Sequence, residues 1–394
     1  MYITKVELKN WRNFSSVSVP LSDKTFIIGP NAVGKSNFLD AIRFLRDIAS
    51  NTGGFQSAIS ARGGMKKIRC LYARKDPEVE ITVELSSSIS KTESLPPEWR
   101  YSIGFVQETK GAHNTLLTFE KIWKDDKLIL ERPNSDDIND PLKMSETWLE
   151  QTSRNQEFRA LHSAFNNISY YHLVPQLLRH PSIYSGHDLP HDPFGQGFLE
   201  KINNTPEKTR NSRLKRINEY LNVAVPQLKE LELTTDEGGR PHLQALYQHW
   251  RPKAGKQQEA DFSDGTLRLI ALLWSILENR GVLLLEEPEL SLNSEIVARL
   301  PNLFTQAQRS SKTKRQFIIT SHSDALLTDK SISLSDVLLF LPSDHGTICM
   351  PACEDKQSIE EFNNGIPLSE IVFPQTAPKN IEKLTQLTFP ELSK

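Results

Sequence analysis

Cysteine is scarce in this sequence: Cys70, Cys349 and Cys353 are the three in 394 residues. So low and odd a count excludes a disulfide-stapled scaffold and fits reduced thiols. Long hydrophobic runs are also missing. The longest, such as Leu269 to Trp274, fall well short of the roughly 20 residues a membrane-spanning helix needs, so no span is expected. The opening residues MYITKVELKNWRNF scatter lysine and arginine among apolar positions and lack the continuous apolar stretch of a signal peptide, so a cytoplasmic location is expected. Neither sign of charge dominates: Lys plus Arg is 47 against 49 Asp plus Glu, a net charge of −2. Proteins that grip nucleic acid by composition alone are strongly basic, so any DNA contact here is local. There is no internal repeat and no sustained heptad pattern, which excludes a solenoid and a long coiled coil.

What is present divides into three stretches. Residues 1–28 alternate and then run apolar through Thr25, Phe26, Ile27 and Ile28, the mark of a buried strand entering Gly29. Phe38, Leu39, Ala41, Ile42, Leu45 and Ile48 then recur at spacings of three and four, predicting a helix packed on a sheet. Strand, glycine loop and helix in that order read as a nucleotide-binding α/β unit. Val79, Ile81, Val83 and Leu85 alternate with polar residues, Trp99, Tyr101, Ile103 and Phe105 repeat the pattern, and a further run reaches Trp123 before a hairpin turn at Lys124 to Lys127. These predict an antiparallel β lobe. Residues 131–143 are polar and turn-rich and read as a linker or surface loop. Beyond them the pattern is largely helical, with Trp148, Leu161 and Phe165 lining one helix and Leu214, Ile217, Tyr220 and Leu221 another near 207–222. A strand from Ile168 to Val174, stopped by Pro175, lies between. From residue 259 the α/β character returns with a helix over Thr266 to Leu277 and buried strands at Val282 to Leu285 and Gln316 to Thr320, while Pro301 ends or kinks the helical pattern after Asn293. The expected parts are an N-terminal lobe (1–144), a compact, largely helical insertion (145–258) and a C-terminal lobe with a tail (259–394).

Gly29, Pro30, Asn31, Ala32, Val33, Gly34, Lys35 and Ser36 fit the phosphate loop G-x-x-x-x-G-K-[ST]. The glycines let backbone N–H groups converge on phosphate oxygens, Lys35 reaches the terminal phosphates and the Ser36 hydroxyl ligates Mg²⁺. A helix N-terminus adds positive potential at the same point. Glu286 and Glu287 follow the apolar run Val282 to Leu285, so two carboxylates emerge at the end of a buried strand. One can hold the metal while the other orients and deprotonates a water. Ser263 and Gly265, opening a helix, suit a γ-phosphate, although the same pattern serves as an ordinary helix cap. His322 follows the buried strand that ends in Thr320 and Ser321.

Taken in order, KVELKNWRNF, GPNAVGKSN, FSDGTLR, VLLLEEPELSLN and IITSHSDALL make the chain resemble the ABC-type ATPase heads of the RecF and SMC group, in particular stand-alone ATPases related to the overcoming-lysogenization-defect (OLD) family. The resemblance covers nearly the whole chain. It implies an α/β P-loop head that binds ATP and Mg²⁺, with Arg12 and Asn13 near the base or ribose and Asn37 beside the phosphates. Ser263 with Gly265 becomes the signature that closes over the ATP of a second subunit, hence a homodimer through ATP or a higher oligomer. Glu286 takes the metal position in place of the usual aspartate, Glu287 the general-base position, and His322 the switch position that senses the γ-phosphate. Ser291, Leu292 and Asn293 match the loop that crosses the dimer interface, with Asn293 where relatives often carry histidine. The Q-loop glutamine, which would touch metal and nucleotide, is Gln176, with Gln107 as the alternative.

The stretch between Lys35 and Ser263 is too short for SMC-type arms. The residues after His322 lack an acidic metal constellation, so a nuclease domain is not expected, and nuclease work would fall to a separately encoded partner. The resemblance thus implies a slow ATPase switch in bacterial anti-phage defence, against the alternatives of a RecF-like clamp on DNA and a non-catalytic ATP-dependent scaffold. Lys208, Arg210, Arg213, Lys215 and Arg216 form a basic stretch that could track DNA phosphates or be a solvated face. His187, Asp188, His191 and Asp192 are metal-capable types in an expected loop, and Cys349 and Cys353 lack the partners of a zinc site. The apolar residues between Glu360 and Pro374 pack on the head or dock a partner.

Overall fold

The computed structural model describes residues 1–73, 76–89, 96–108, 113–179, 194–248, 255–278, 281–310 and 315–377. Two six-stranded sheets carry the molecule. The first is antiparallel throughout, in the order Phe14–Pro20, Tyr2–Trp11, Val79–Ser86, Trp99–Gln107, Thr115–Lys124 and Lys127–Arg132. Its strands alternate buried and half-buried residues because one face covers a core and the other meets solvent.

The second sheet is ordered Gly346–Pro351, Val337–Ser343, Lys24–Ile28, Gln316–Ser321, Val282–Glu286 and Ser169–Tyr171, and all its pairings are parallel except that of the Gly346–Pro351 edge. Lys24–Ile28 and Gln316–Ser321 are buried at every position, as central parallel strands must be when both faces are covered. The helix Lys35–Ala49 lies between the sheets and buries Phe38, Leu39, Ala41, Ile42, Leu45 and Ile48 completely. Each large apolar side chain so buried contributes about 1.5–3 kcal/mol. On the opposite face the helix Asp264–Leu277 packs Leu267, Ile270, Leu273 and Trp274 into a second core.

Between residues 145 and 258 the structure holds helices Arg159–Asn166, Pro175–Arg179, Phe198–Asn203 and Glu207–Ala224, and also a three-stranded antiparallel sheet of Leu228–Thr235, Pro241–Tyr247 and Lys256–Gln258. Trp148 stands in a turn before the helix of Leu161 and Phe165, not on it. Residues 131–143 are no free linker. Arg132, 1% exposed, pairs with Glu120 at 3.0 Å and with Asp137 at 2.8 Å, and a capping box of Asn134 and Asp137 starts the short helix Ser135–Asn139. Pro301 falls at the start of the helix Leu300–Ser310, where its missing N–H costs nothing. Near the C-terminus, the helix Leu368–Thr376 packs Leu368 and Val372 on the second core.

Candidate active site

The parallel order places the carboxyl ends of Lys24–Ile28, Val282–Glu286 and Gln316–Ser321 side by side, and the candidate residues leave the sheet there. Gly29 to Gly34 link the first of these strands to the helix Lys35–Ala49. Gly34 has φ 106°, and a Cβ built on it would stand 2.1 Å from the Asn13 amide nitrogen, so both backbone angle and space require glycine. No side chain caps this helix, which leaves first-turn N–H groups for an anion.

Asn13 braces the loop from behind. Its Nδ2 donates to the Val33 carbonyl at 2.6 Å and to Thr347 Oγ1 at 2.5 Å, while its Oδ1 accepts from Asn37 Nδ2 at 2.7 Å. Arg12 is tied to Asp40 at 2.6 Å, on the helix after the loop. The expectation that these two face a base or ribose therefore meets side chains already engaged in holding the loop and its helix.

Lys35 Nζ donates to the carbonyls of Gly29 at 2.9 Å and Pro30 at 3.1 Å and stands 2.6 Å from His322 Nε2. Burial lowers its pKa to about 8, opposed by the charges of Glu287, Glu286 and Glu289. Ser36 Oγ donates to Glu286 Oε1 at 2.5 Å. The other oxygen of Glu286 accepts from the Tyr170 hydroxyl. A hydroxyl facing a carboxylate is the hard oxygen donor pair that Mg²⁺ takes, so the residues fit the metal expected at Ser36 and Glu286.

Glu287 turns out of the strand with φ 44°, its N–H held by the Thr320 carbonyl at 3.0 Å. Its Oε1 lies 3.2 Å from His322 Nε2, and the hydrogen bond from His322 holds the carboxyl below its ordinary range, against a smaller opposing effect of burial. One ring nitrogen cannot accept from Lys35 and donate to Glu287 at once, so the tautomer of His322 decides which of the two it serves. Glu289, 7% exposed, accepts from Ser321 Oγ at 2.6 Å and from the His322 N–H at 3.0 Å, fixing the backbone at His322. The sequence pattern singles out neither Glu289 nor Tyr170; Tyr170 shows itself once strand register is known.

Ser263 caps the helix Asp264–Leu277, accepting from the Thr266 N–H at 3.2 Å. A Cβ on Gly265 would meet the Ser291 carbonyl at 2.5 Å, so this helix start and the Ser291 turn of the same chain pack backbone to backbone. Asn293 caps the short helix Ser294–Val297, and Leu290 beside it is 41% exposed. Gln176 Nε2 donates to Asp264 Oδ2 at 2.9 Å, joined there by Arg179 at 2.6 Å. Gln176 is thus brought to the start of the helix Asp264–Leu277, and Tyr170 stands beside Glu286. Gln107 bonds the His113 carbonyl at 3.1 Å on the antiparallel sheet.

Outside the loop lies a cleft of about 820 Å³, walled by Gly29–Val33, His322, Leu341, Pro342 and the Phe373–Ala377 end of the C-terminal helix. His187, Asp188, His191 and Asp192 lie outside the described residues. Among the described residues no cluster of His, Cys, Asp and Glu suits a metal ion, and no helix is long and apolar enough to cross a membrane.

A phosphate loop, a serine and carboxylate placed for a metal, and a second carboxylate held by a histidine, all at the carboxyl end of a parallel sheet, define a P-loop ATPase domain. The comparisons narrow the class. The chain belongs to the family described as "AAA domain, putative AbiEii toxin, Type IV TA system", which matches residues 24–328. Endonuclease GajA of Bacillus cereus is 22% identical over 352 residues, 83% of this chain and 56% of that protein. The DNA replication and repair protein RecF of Synechocystis sp. is 32% identical over 90 residues, 22% of this chain and 23% of that one. The chain thus spans about half the length of the first relative and about a quarter of the second. A solved SMC head bound to the C-terminal winged-helix domain of ScpA superposes with a TM-score of 0.50 at 16% identity, over 90% of this chain and 99% of that one. That likeness establishes the fold, which is the α/β ATPase head with an antiparallel lobe that the sequence predicts.

Proposed function

We propose that this chain is an ATP-hydrolysing switch whose heads pair across Mg²⁺-ATP and so control a separately encoded effector, a nuclease, in bacterial anti-phage defence. The observation that carries the ATPase part is that residues from three separate strand ends meet in two bonded sets, Ser36 with Glu286, and His322 with Lys35 and Glu287. Bound Mg²⁺ supplies charge neutralisation at the phosphates, held by Ser36 and Glu286. Lys35 leaves its loop carbonyls for phosphate oxygens. Glu287, kept ionised by His322, accepts the proton of the attacking water. In this reading Ser263 and Gly265, which open the helix Asp264–Leu277, face a second copy's phosphate loop, while the Ser263 hydroxyl caps its own helix. The defence reading rests on the likeness to GajA over most of this chain, and the link to OLD-type ATPases on the order of the sequence motifs.

Glu287→Gln tests the reading. It keeps the size of the side chain and removes the base, so phosphate release should fall by at least about 100-fold, and light scattering should show a dimer that persists in ATP. Hydrolysis at the wild-type rate in this variant would refute the assignment. Copurification with the products of flanking genes tests the effector: a stoichiometric nuclease supports the defence role, whereas a lone chain that binds DNA only with ATP favours the RecF-like clamp.

A further inference from the structure

A glutamate at the metal position carries one more methylene, and one more free torsion, than an aspartate. A carboxylate on so mobile a stem needs a second anchor to present one oxygen to a metal. The structure supplies such an anchor from the middle of the chain. In the parallel pairing of Ser169–Tyr171 with Val282–Glu286, Tyr170 stands beside Leu284. Glu286 is two residues beyond Leu284 and therefore on the same face of the sheet, the face covered by the helix Lys35–Ala49. The hydroxyl of Tyr170 donates to Glu286 Oε2 while Ser36 takes Oε1 at 2.5 Å, so each carboxylate oxygen has its own donor. Tyr170 itself is fixed. It is 6% exposed, and the Arg43 guanidinium, reaching from the phosphate-loop helix, lies 4.1 Å from its ring centroid.

We infer that Tyr170 is the positioning residue of the metal site: its hydroxyl locks the long Glu286 side chain so that Oε1 stays directed at the metal beside Ser36. This rests on the ATPase reading above and adds to it a residue from the edge strand of the sheet. Ser36 Oγ and Glu286 Oε1 would hold the metal, and the bond from Tyr170 to Oε2 would keep the carboxylate in place.

The test is Mn²⁺ binding to the full chain with a non-hydrolysable ATP analogue, followed by electron paramagnetic resonance, for Tyr170→Phe, Glu286→Asp, their double variant and Glu286→Gln. Tyr170→Phe keeps the ring and its cation–π contact and removes one hydrogen bond, so thermal unfolding in EDTA should stay cooperative and metal-free analogue binding should stay within twofold of the wild type. Its Mn²⁺ affinity should fall by about 10-fold or more. In the Glu286→Asp background the shorter carboxylate no longer reaches the tyrosine, so adding Tyr170→Phe should change affinity less than twofold, a coupling that a general packing role would not produce. Mn²⁺ affinity within twofold of wild type in Tyr170→Phe, with Glu286→Gln abolishing binding, would overturn the role of Tyr170 and leave the metal site standing. Undiminished binding in Glu286→Gln would remove the metal assignment, and the role of Tyr170 with it.

Discussion

Glu150 accepts hydrogen bonds from the Phe55 N–H at 2.6 Å and from the Thr147 hydroxyl at 3.2 Å, and its burial lifts its pKa from the ordinary carboxylate value to about 7. Phe55 in turn packs edge-on against Phe44 of the phosphate-loop helix, with centroids 6.3 Å apart, so this one carboxyl helps seat the helix that bears Lys35 and Ser36. The unfolded chain ionises near 4.5 and the folded chain near 7, so folding takes up a proton in between. The stabilisation is complete below pH 4.5 and is lost as the pH rises through 7, where a buried charge opposes folding. Glu150→Gln keeps an acceptor for the Phe55 N–H and removes the charge. Urea unfolding should therefore show the variant about 1–3 kcal/mol more stable than wild type at pH 8 and equal to it at pH 4.5. A stability difference that does not vary with pH would mean that the carboxyl stays ionised throughout.

At the scale of elements, what the sequence reveals follows from how each strand or helix is buried. Lys24–Ile28, Val282–Glu286 and Gln316–Ser321 are covered on both faces and so read as apolar runs, and the catalytic candidates at their ends can be placed from the sequence alone. Leu228–Thr235 and Pro241–Tyr247 are half-exposed and mix polar side chains with their apolar residues, lysine and glutamate in the first and His242 and Gln244 in the second, so the small sheet they build is hidden in a stretch that reads as helical. Arg132 is hidden for the opposite reason: burial through ion pairs leaves the composition polar, and hydropathy then reports a loop where there is a fixed node. Tyr170 needs the register of two strands far apart in sequence, which no local pattern contains. The basic helix Glu207–Ala224 is the element on which the two functional readings divide. Leu214, Ile217 and Leu221 bury one face, Arg213 lies over the Trp274 ring at 5.1 Å, and Lys208, Lys215 and Arg216 remain exposed. If the head clamps DNA through this face, Lys208→Glu, Lys215→Glu and Arg216→Glu together should weaken ATP-dependent DNA binding and lower the salt slope by about three. Binding and slope unchanged from wild type would exclude this helix as the DNA contact, with Arg213 left intact so that packing on Trp274 is not disturbed.

The whole molecule ties the two ends of the sequence into one nucleotide site. The strand that feeds the phosphate loop, Lys24–Ile28, is paired on one side with Gln316–Ser321 and on the other with Val337–Ser343, and both come from the last third of the chain. The brace behind the loop crosses the same divide, since Asn13 and Thr347 share the Val33 carbonyl at 2.6 and 2.5 Å. So does the tie between the two large sheets, where the Gln316 amide accepts from the Ile3 N–H at 2.9 Å and donates to the carbonyls of Ile3 at 2.7 Å and Ser22 at 2.9 Å. A fragment of residues 1–144 holds every residue of the phosphate loop but loses both neighbours of its strand, leaving the backbone groups of Lys24–Ile28 and the side of the loop helix that faces the second sheet uncovered. That fragment should show no cooperative thermal transition and no binding of a fluorescent ATP analogue, whereas the full chain should bind it and gain about 2.7 kcal/mol of stability at a ligand concentration 100 times its Kd. Nucleotide affinity in the fragment close to that of the full chain would show that the loop is held by its own lobe. Failure of the full chain itself to be stabilised by nucleotide would instead count against the ATPase reading, because the same interlocking brings Glu287 and His322, which follow two strands from the last third of the chain, to Lys35 of the loop.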